Sequence, residues 1–355
     1  MSASMLAAIF RDGDIKVIEV ERPKPGNGEA LLQIEAAAIC ATDIKIWQRG
    51  HRNIAIGSDA ILGHEVVGKI VSLGEGLDSN LLGKRFVVAP NVGCGICKIC
   101  QKGWDSLCLD YRAFGVGLDG GFAQYMLIPS SALHRSCLVE VPLEVTSKMA
   151  VLTESAACCL RGLQACSLSE GESVLIFGAG PMGILTLILA QAMGAGRVIM
   201  ADPQKDRREK AISFGASSTI DPSAKNFQDQ LIQSNDLCNA DVVMVTAPVA
   251  EAQNQGILSA AVGGRINLFA GVPQDDTIKE FPGNLIHYRG LNVLGTTGAT
   301  PIEMGAVLAM IAAGRLDKFE KIVTGIYPLH HLGMALEEAR AGKGLKVIVL
   351  PEFRE

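Results

Sequence analysis

A strand, a glycine-rich turn and a helix in succession constrain the fold of this 355-residue chain more than any other feature. The apolar run Ser173–Phe177 leads into Gly178-Ala-Gly-Pro-Met-Gly183, and an apolar helix-like segment follows. In this context Gly178 permits a tight turn, Gly180 lets the backbone approach a pyrophosphate, and Gly183 allows close packing of helix on strand. The helix N-terminus offers unpaired N–H groups to an anion. The motif therefore predicts a dinucleotide site at the end of a parallel-sheet strand.

An acidic residue supports the same site. The next predicted strand ends at Asp202, close to the offset of ~20 residues at which a carboxylate binds the adenosine ribose. A carboxylate there repels a 2′-phosphate, so NAD is favoured, whereas Arg207 and Arg208 keep NADP open. A glycine-rich turn beside a surface Asp is the structural alternative. The candidate cofactor-binding residues are Gly178, Gly180, Pro181, Met182, Gly183, Asp202, Arg207, Thr246 and Thr296.

The pattern of elements changes near Ala150. Before it, short β-type runs separated by Gly, Pro, Asn and Asp predict an antiparallel sheet or barrel over 15–20, 30–35, 66–73, 85–89 and 122–129. After it, strands and helices alternate, including a helix over 251–262 and a strand over 264–270, which predicts a doubly wound parallel sheet covered on both faces. We expect a discontinuous catalytic domain, 1–152 and 297–355, with a dinucleotide-binding domain, 153–296, inserted in it.

Charge and hydropathy exclude several classes of protein. The formal net charge is −5, and no basic stretch is longer than Arg207-Arg208, which argues against nucleic acid or an anionic membrane as the main partner. The longest apolar run, 183–196, is too short to span a bilayer. The first residues show no basic leader and are predicted to start a strand. We expect a cytoplasmic protein.

Four of the ten cysteines are crowded into fifteen positions. Cys94, Cys97, Cys100 and Cys108 can close a tetrahedral thiolate shell, which describes a structural zinc site. An iron–sulfur cluster is the alternative, but such runs place the fourth Cys three residues on and before Pro. Free thiols are the remaining interpretation. The other five cysteines, expected to be buried apolar residues, are Cys137, Cys158, Cys159, Cys166 and Cys238.

A second, sparser set of residues has the donor types of a catalytic zinc site. Cys40, His64 and Glu154 supply a thiol, an imidazole and a carboxylate, and Glu65 adds a second carboxylate. A catalytic zinc takes about three such ligands and keeps one position open. Each residue also has an ordinary explanation, such as a buried core thiol or a loop histidine.

The order of the motifs resembles the zinc-dependent medium-chain dehydrogenase/reductase superfamily, the alcohol dehydrogenase-like enzymes, in particular the sorbitol (polyol) and threonine dehydrogenase branch. The resemblance covers essentially the whole chain, and the motifs that carry it are Cys40-Ala-Thr-Asp43, Gly63-His-Glu65, the four-cysteine lobe, Gly120-Gly-Phe-Ala-Gln-Tyr125 and Gly178-Ala-Gly-Pro-Met-Gly183. It implies an α/β architecture: a GroES-like, mainly β catalytic domain plus a Rossmann domain. It also implies a homodimer or homotetramer paired through the Rossmann edge strand at 291–295.

The resemblance also implies roles for the second set. Cys40 and His64 would hold the catalytic zinc, with Glu154 and Glu65 alternating with water. Thr42 would hydrogen-bond the substrate hydroxyl, and Asp43 would orient His64. Three positions depart from the family pattern: Ser155 replaces the usual Pro, Gln124 replaces Glu near the cleft, and Lys45 stands where a His is common. Lys45 or His51 would then relay the proton, unless both are merely solvated.

The expected reaction is reversible oxidation of a secondary alcohol to a ketone, with two zinc ions per chain and NAD. Candidate wall residues of the pocket are Trp47, Phe114, Leu118 and the stretch 295–298. Polar walls favour a polyol, sugar alcohol or cyclitol. Positive charges at Lys45, His51 and Arg52 keep open a sugar-alcohol phosphate or L-threonine. A non-catalytic protein that binds zinc and a dinucleotide is the second alternative.

Overall fold

The computed structural model describes residues 4–236, 238–278, 280–316 and 318–351. The chain divides into two compact units, which are described separately below. The first runs as far as Ala157 and resumes over Gly298–Gly314 and from Glu320 to the end of the described chain. The second consists of Cys158–Thr297 and Arg315–Phe319. In the described residues no helix is both long and apolar enough to cross a membrane.

The strands, in chain order, are β1 Ser4–Arg11, β2 Asp14–Glu21, β3 Ala30–Ala38, β4 Ala60–Ile61, β5 Glu65–Leu73, β6 Arg85–Val88, β7 Asn91–Val92, β8 Arg112–Phe114, β9 Gly117–Leu118, β10 Tyr125–Ile128, β11 Leu138–Glu140, β12 Ser173–Phe177, β13 Arg197–Ala201, β14 Ser218–Ile220, β15 Ala240–Val245, β16 Ala260–Asn267, β17 Asn292–Leu294, β18 Val323–Pro328 and β19 Lys346–Leu350. The helices are α1 Ala41–Arg49, α2 Lys98–Gln101, α3 Ser130–His134, α4 Ser147–Ala150, α5 Thr153–Ala165, α6 Pro181–Ala192, α7 Lys205–Phe214, α8 Phe227–Ser234, α9 Ala250–Leu258, α10 Gly283–Arg289, α11 Pro301–Ala312 and α12 Leu332–Ala341.

The first unit is built around a mixed, mostly antiparallel sheet in the order β11-β6-β5-β3-β19-β18, with β10 also paired to β3. Its central strand β3 carries small and aliphatic residues and is almost wholly buried, as expected of a strand with neighbours on both sides. Two smaller sheets, β2-β1-β4 and β7-β8-β9, flank it.

The register of this sheet brings three distant segments to one place. Ala38, the last residue of β3, pairs with Glu65, the first residue of β5, and also with Ile348 in β19. The chain leaving β3 at Cys40, the start of β5 and the start of β19 at Lys346 therefore meet at one end of the sheet. The candidate metal-binding residues of the second set lie there.

The second unit contains a six-stranded parallel sheet in the order β14-β13-β12-β15-β16-β17, flanked by helices. All five residues of its central strand β12 are buried, which accounts for the continuous apolar run in the sequence. The strand order reverses beside β12, as in a doubly wound dinucleotide-binding sheet. The predicted parallel sheet is confirmed, and β17 lies at its edge.

One helix in this unit ends earlier than predicted. The sequence predicts helix over 251–262, but α9 ends at Leu258 and β16 already begins at Ala260. Ala260 pairs with Ala240 before a register shift, and Gly263 at φ +73° forms the irregularity. An apolar run that is interrupted by glycine is compatible with either the end of a helix or a bulged strand. Only the pairing with a neighbouring strand distinguishes the two.

The divisions between the units differ by a few residues from the predicted domain boundaries. The predicted boundary at residue 152 precedes α5, whereas the first unit extends to Ala157 within that helix. The predicted return is at 297, whereas the first unit resumes at Gly298, and Arg315–Phe319 belongs to the second unit. The reason is local hydrogen bonding: Arg315 donates to the carbonyl of Ala192, and Lys318 donates to that of Phe214 at 3.1 Å.

Candidate active site

The four-cysteine lobe has the geometry of a closed metal shell. One ligand atom from each of Cys94, Cys97, Cys100 and Cys108 lies within 4.8 Å of the others. The sulfurs of Cys94 and Cys100 are 3.9 Å apart, as are those of Cys97 and Cys108. A tetrahedral zinc with Zn–S bonds of ≈ 2.3 Å requires sulfurs about 3.8 Å apart, whereas a disulfide requires ≈ 2.05 Å. The lobe fits zinc.

The chemistry of these thiols also calls for a cation. Backbone N–H groups of Ile96 and Cys97 lower the pKa of Cys94 to about 7, but burial raises the pKa of Cys100 to about 12. Four thiolates at this spacing therefore need a positive charge among them. The packing leaves no room for a side chain at Gly93, since a Cβ would lie 2.5 Å from the Cys100 sulfur.

The remaining cysteines are less uniform than expected. Cys137, Cys159 and Cys166 are buried, but Cys158 is half-buried and Cys238 is exposed. The expectation of five buried thiols is therefore wrong for Cys238, which lies in the loop between α8 and β15.

The second set forms a compact trio at the end of the main sheet of the first unit. Ligand atoms of Cys40, His64 and Glu65 lie within 4.8 Å of one another, and His64 and Glu65 are buried. Cys40 directly precedes α1, while Glu65 begins β5. A thiol, an imidazole and a carboxylate in this arrangement are the donors that a zinc site with an open position uses. We call these three residues the metal trio.

Asp43 joins the two loops that carry the metal trio. Its side chain, fully buried in α1, accepts the backbone N–H of Cys40 at 2.8 Å and that of Gly63 at 3.1 Å. Asp43 Oδ1 also lies 3.5 Å from Nδ1 of His64. Burial lowers the pKa of His64, but the charges of Asp43 and Cys40 outweigh it and leave that pKa well above its ordinary value. With Asp43 beside Nδ1, the ring has Nε2 left for a metal.

The carboxylate of Glu65 is held on one side only. Its Oε1 accepts the hydroxyl of Ser155 at 2.7 Å and the ammonium of Lys346. Its Oε2 is buried and has no hydrogen-bond partner among the described residues. A buried carboxylate oxygen without a donor is unfavourable, and a cation bound by the metal trio would satisfy it. Glu65 therefore supports the fit to zinc.

Lys346 is the residue of this site that was not predicted. Its side chain is buried beside Glu65, and its ammonium also reaches the carbonyl of Ile39 at 3.5 Å. Burial lowers the pKa of Lys346, but the negative charges of Glu65, Cys40 and Glu154, together with the hydrogen bond to Glu65, outweigh that effect and raise the pKa. The sequence does contain one sign of this role: a lysine begins the apolar run Lys346–Leu350. A charge buried in such a run is costly unless it has a partner.

The other predicted catalytic residues are not members of the metal trio. Glu154 is buried in the first turn of α5 and is not one of the trio, although its charge acts on Lys346. Thr42 and Lys45 are exposed on α1, three residues apart and hence on one face. His51 is half-buried, and burial lowers its pKa.

The predicted pocket walls separate into two kinds. Trp47 helps line a cavity of about 670 Å³ at the carboxyl end of α1, where His51 and Arg52, which were not predicted as walls, line it too. Phe114 is instead buried in the first unit, where it is 1% exposed. Gln124 is also buried, and its side-chain oxygen accepts the N–H of Leu6 at 2.8 Å, which gives it a role in binding β1.

The glycine-rich loop of the second unit has the predicted geometry. Gly178 has φ +97°, and a Cβ at Gly183 would lie 1.8 Å from the carbonyl oxygen of Gly178. A Cβ at Gly180 would meet nothing within 4 Å among the described residues, which leaves open space where a pyrophosphate would approach. Gly180 caps α6, and Pro181 occupies its first turn, where no N–H is needed.

Asp202 faces this loop from the end of β13. Asp202 is 3% exposed, and its carboxylate accepts the N–H groups of Ala179 at 2.8 Å and Gln204 at 2.9 Å. Arg207 approaches it to 3.9 Å. The negative charge therefore lies directly beside the glycine-rich turn.

The two predicted threonines, Thr246 and Thr296, form hydrogen bonds at the carboxyl end of the parallel sheet. Thr246 donates to the carbonyl of Phe177 at 2.7 Å, just before the turn. Thr296 accepts from Asn267 at 3.0 Å, beyond β17. Both hydroxyls therefore bind the protein itself at the carboxyl ends of the strands.

Together these features are typical of the class of zinc-binding alcohol dehydrogenases. The alcohol dehydrogenase GroES-like domain family matches residues 26–138, and the zinc-binding dehydrogenase family matches residues 181–313. The chain belongs to the zinc-dependent medium-chain dehydrogenase/reductase superfamily. The predicted fold, GroES-like plus Rossmann, is confirmed.

Relatives match over nearly the full length. The chain is 32% identical to L-threonine 3-dehydrogenase of Pyrococcus horikoshii, with 94% of each chain covered. It is 30% identical to L-galactonate-5-dehydrogenase of Escherichia coli K12, with 89% of each covered. A crystal structure of a zinc-binding dehydrogenase from Sinorhizobium meliloti 1021, bound to NADP, has a TM-score of 0.89 at 31% identity and covers 99% of this chain and 100% of that one.

Proposed function

We propose that this chain is a zinc- and nicotinamide-dinucleotide-dependent dehydrogenase that reversibly oxidises a secondary alcohol of a small polar substrate to a ketone. The observation that carries the proposal is the metal trio, in which the buried Oε2 of Glu65 lacks any partner among the described residues. Membership in an alcohol dehydrogenase-like family supports it. The four-cysteine lobe is proposed to hold a second, structural zinc.

The residues near the metal trio supply the remaining parts of the mechanism. A zinc held by Cys40, His64 and Glu65 would supply a Lewis acid to the alcohol oxygen, and a bound nicotinamide dinucleotide would accept the hydride. Thr42, two residues beyond Cys40 and exposed, is proposed to accept the alcohol proton. Lys45, one turn further along the same face, passes that proton towards solvent.

Glu154 is proposed as the carboxylate that exchanges with water at the metal. It is buried in the first turn of α5, within electrostatic range of Lys346. Glu65, by contrast, is already one of the metal trio, so the two carboxylates would have different roles.

We propose NAD as the preferred dinucleotide. The buried carboxylate of Asp202 beside the glycine-rich turn would repel a 2′-phosphate. Arg207, 3.9 Å from that carboxylate, is the feature that favours NADP, and the Sinorhizobium meliloti structure was solved with NADP. The Asp202 side chain is more deeply buried than that of Arg207. We therefore expect the repulsion between Asp202 and a 2′-phosphate to outweigh the attraction of that phosphate to Arg207.

For the substrate we propose a secondary alcohol that also carries a carboxylate. Threonine and galactonate, the substrates named for the two relatives, share this feature. Lys45 is five residues beyond Cys40, or ~7.5 Å along the axis of α1, and its side chain is exposed. A neutral polyol, which the sequence favours, is the second candidate.

The cavity at the other end of α1 is less suited to that carboxylate. Trp47, the nearest of its wall residues on the helix, is seven residues from Cys40, or ~10 Å along the axis. The carboxyl carbon of threonine is only two bonds from its carbinol carbon. We therefore assign substrate recognition to Lys45 and not to Arg52.

The experiment is a comparison of Lys45→Met with Arg52→Met, each of which removes one exposed cation from the first unit. With L-threonine or a sugar acid, Lys45→Met should raise KM by on the order of tenfold and also lower kcat, because Lys45 relays the proton, while Arg52→Met stays near wild type. Equal effects, or turnover only of neutral polyols, would refute the carboxylate proposal. One zinc per chain and no turnover of any alcohol would indicate a binding protein instead.

We further propose a homodimer or homotetramer joined through the edge of the parallel sheet. In the sheet order β17 has a neighbour on one side only, and exposed edge strands are usually paired or covered. Nucleic acid and membranes are not expected as partners. Sedimentation as a monomer at micromolar concentration would refute this proposal.

A further inference from the structure

Ser155 makes a contact that no proline could make at this position. It lies in the first turn of α5, is 1% exposed, and donates its hydroxyl to Oε1 of Glu65 at 2.7 Å. The two residues are 90 positions apart in the chain. The hydrogen bond ties α5 to the start of β5, where the metal trio lies.

The hydroxyl shares its acceptor with a charged group. Lys346 donates to the same oxygen, so Oε1 has two donors while the buried Oε2 has none among the described residues. With Oε1 restrained from two directions, the carboxylate is held against rotation. Its second oxygen, Oε2, is left to bind a metal ion together with the sulfur of Cys40 and the imidazole of His64.

We propose that Ser155 is a positioning residue for the metal: its hydroxyl fixes the Glu65 carboxylate so that Oε2 stays available as the third protein ligand beside Cys40 and His64. The inference rests on the proposed zinc-dependent function. Partners that hold a metal ligand in place typically contribute 10- to 100-fold to metal affinity. Ser155 should therefore affect how firmly the site retains zinc before it affects the fold.

The test compares Ser155→Ala with Thr153→Val in the zinc-loaded full-length protein. Thr153 offers a matched control, since its hydroxyl is buried in the same turn but has no hydrogen-bond partner among the described residues. Zinc transfer to excess chelator is followed with a colorimetric indicator, which needs no catalytic activity. The visible absorption of a cobalt(II)-substituted sample reports the donor geometry directly.

For Ser155→Ala we expect release of one zinc about tenfold faster or more than in wild type, together with an altered cobalt spectrum. Thr153→Val should match wild type in both readouts. The slowly released zinc of the four-cysteine lobe should stay unchanged in every variant, which shows that the fold is intact. Release and spectra identical to wild type in Ser155→Ala would overturn the inference.

The wild-type protein separates this inference from the proposed function. Two zinc ions per chain and turnover of a secondary alcohol, combined with an unaffected Ser155→Ala variant, would refute only the role of Ser155. A wild-type chain that holds one zinc, in the four-cysteine lobe, would refute both the proposed function and this inference.

Discussion

The ammonium of Lys346 lies on the carboxylate of Glu65, although the two residues are 281 positions apart in the chain. Both side chains are almost completely buried. The pair joins the first residue of β19 to the first residue of β5, and Ser155 adds a hydroxyl to the same oxygen. The metal trio is thus built on a buried ion pair between the N-terminal and C-terminal segments of the first unit.

Lys346→Met is expected to destabilise the protein strongly. In protein whose metal trio has been stripped of zinc, the substitution keeps most of the side-chain volume but leaves Glu65 as a buried, uncompensated charge, which costs about 3–5 kcal/mol. Urea unfolding followed by circular dichroism would measure the loss. The double variant Lys346→Met/Glu65→Gln should recover part of it, and a full loss in the double variant would show that packing, not charge, is responsible.

Loss of one lobe cysteine should remove one zinc. In Cys97→Ser we expect zinc content to fall from two to one per chain and the thermal midpoint to drop, because a closed thiolate shell contributes folding energy. Zinc would be measured by atomic emission. Cys238→Ser is the control, since that thiol is exposed and outside the lobe. Unchanged zinc content in Cys97→Ser would contradict the assignment.

Asp43→Asn should weaken the metal trio without emptying the four-cysteine lobe. An amide has one acceptor oxygen for the two N–H groups that Asp43 accepts, and it no longer provides the charge near His64. We expect metal affinity at the metal trio to fall 10- to 100-fold, measured by competition with a chelator. Asp119→Asn, where the carboxylate accepts the single N–H of Ile61, should retain wild-type affinity.

Asp202→Asn should shift the choice of dinucleotide. The amide can still accept one backbone N–H but no longer repels a 2′-phosphate. We expect the ratio of kcat/KM for NAD over NADP to fall on the order of tenfold, since a nearby charge near a protein surface contributes about 1–4 kcal/mol. Steady-state kinetics with both dinucleotides would measure it, and an unchanged ratio would contradict the role of Asp202.

The features predicted correctly from sequence are those whose parts lie close together in the chain. The strand, glycine-rich turn and helix at Ser173–Phe177 and Gly178 form a local unit whose geometry follows from residue type. The four cysteines of the lobe span fifteen positions, and the structure brings their sulfurs together. The family and the fold followed from the order of such motifs.

The features not predicted depend on pairing between distant segments. No local pattern shows that Ser155 and Lys346 share one oxygen of Glu65, because that contact requires the register of β3, β5 and β19. The same reason accounts for Gln124, which binds β1. The ligand roles within the metal trio and of Glu154 stay predictions.

The central claim is that the metal trio makes this chain a secondary-alcohol dehydrogenase. The most direct measurement is NADH formation by the wild-type protein and by Cys40→Ser, with L-threonine, sugar acids and neutral polyols as substrates. The account predicts turnover by the wild type, two zinc ions per chain, and loss of one zinc together with nearly all turnover in Cys40→Ser. A wild-type chain with two zinc ions and no turnover of any of these alcohols, or a Cys40→Ser variant as active as wild type, would contradict it.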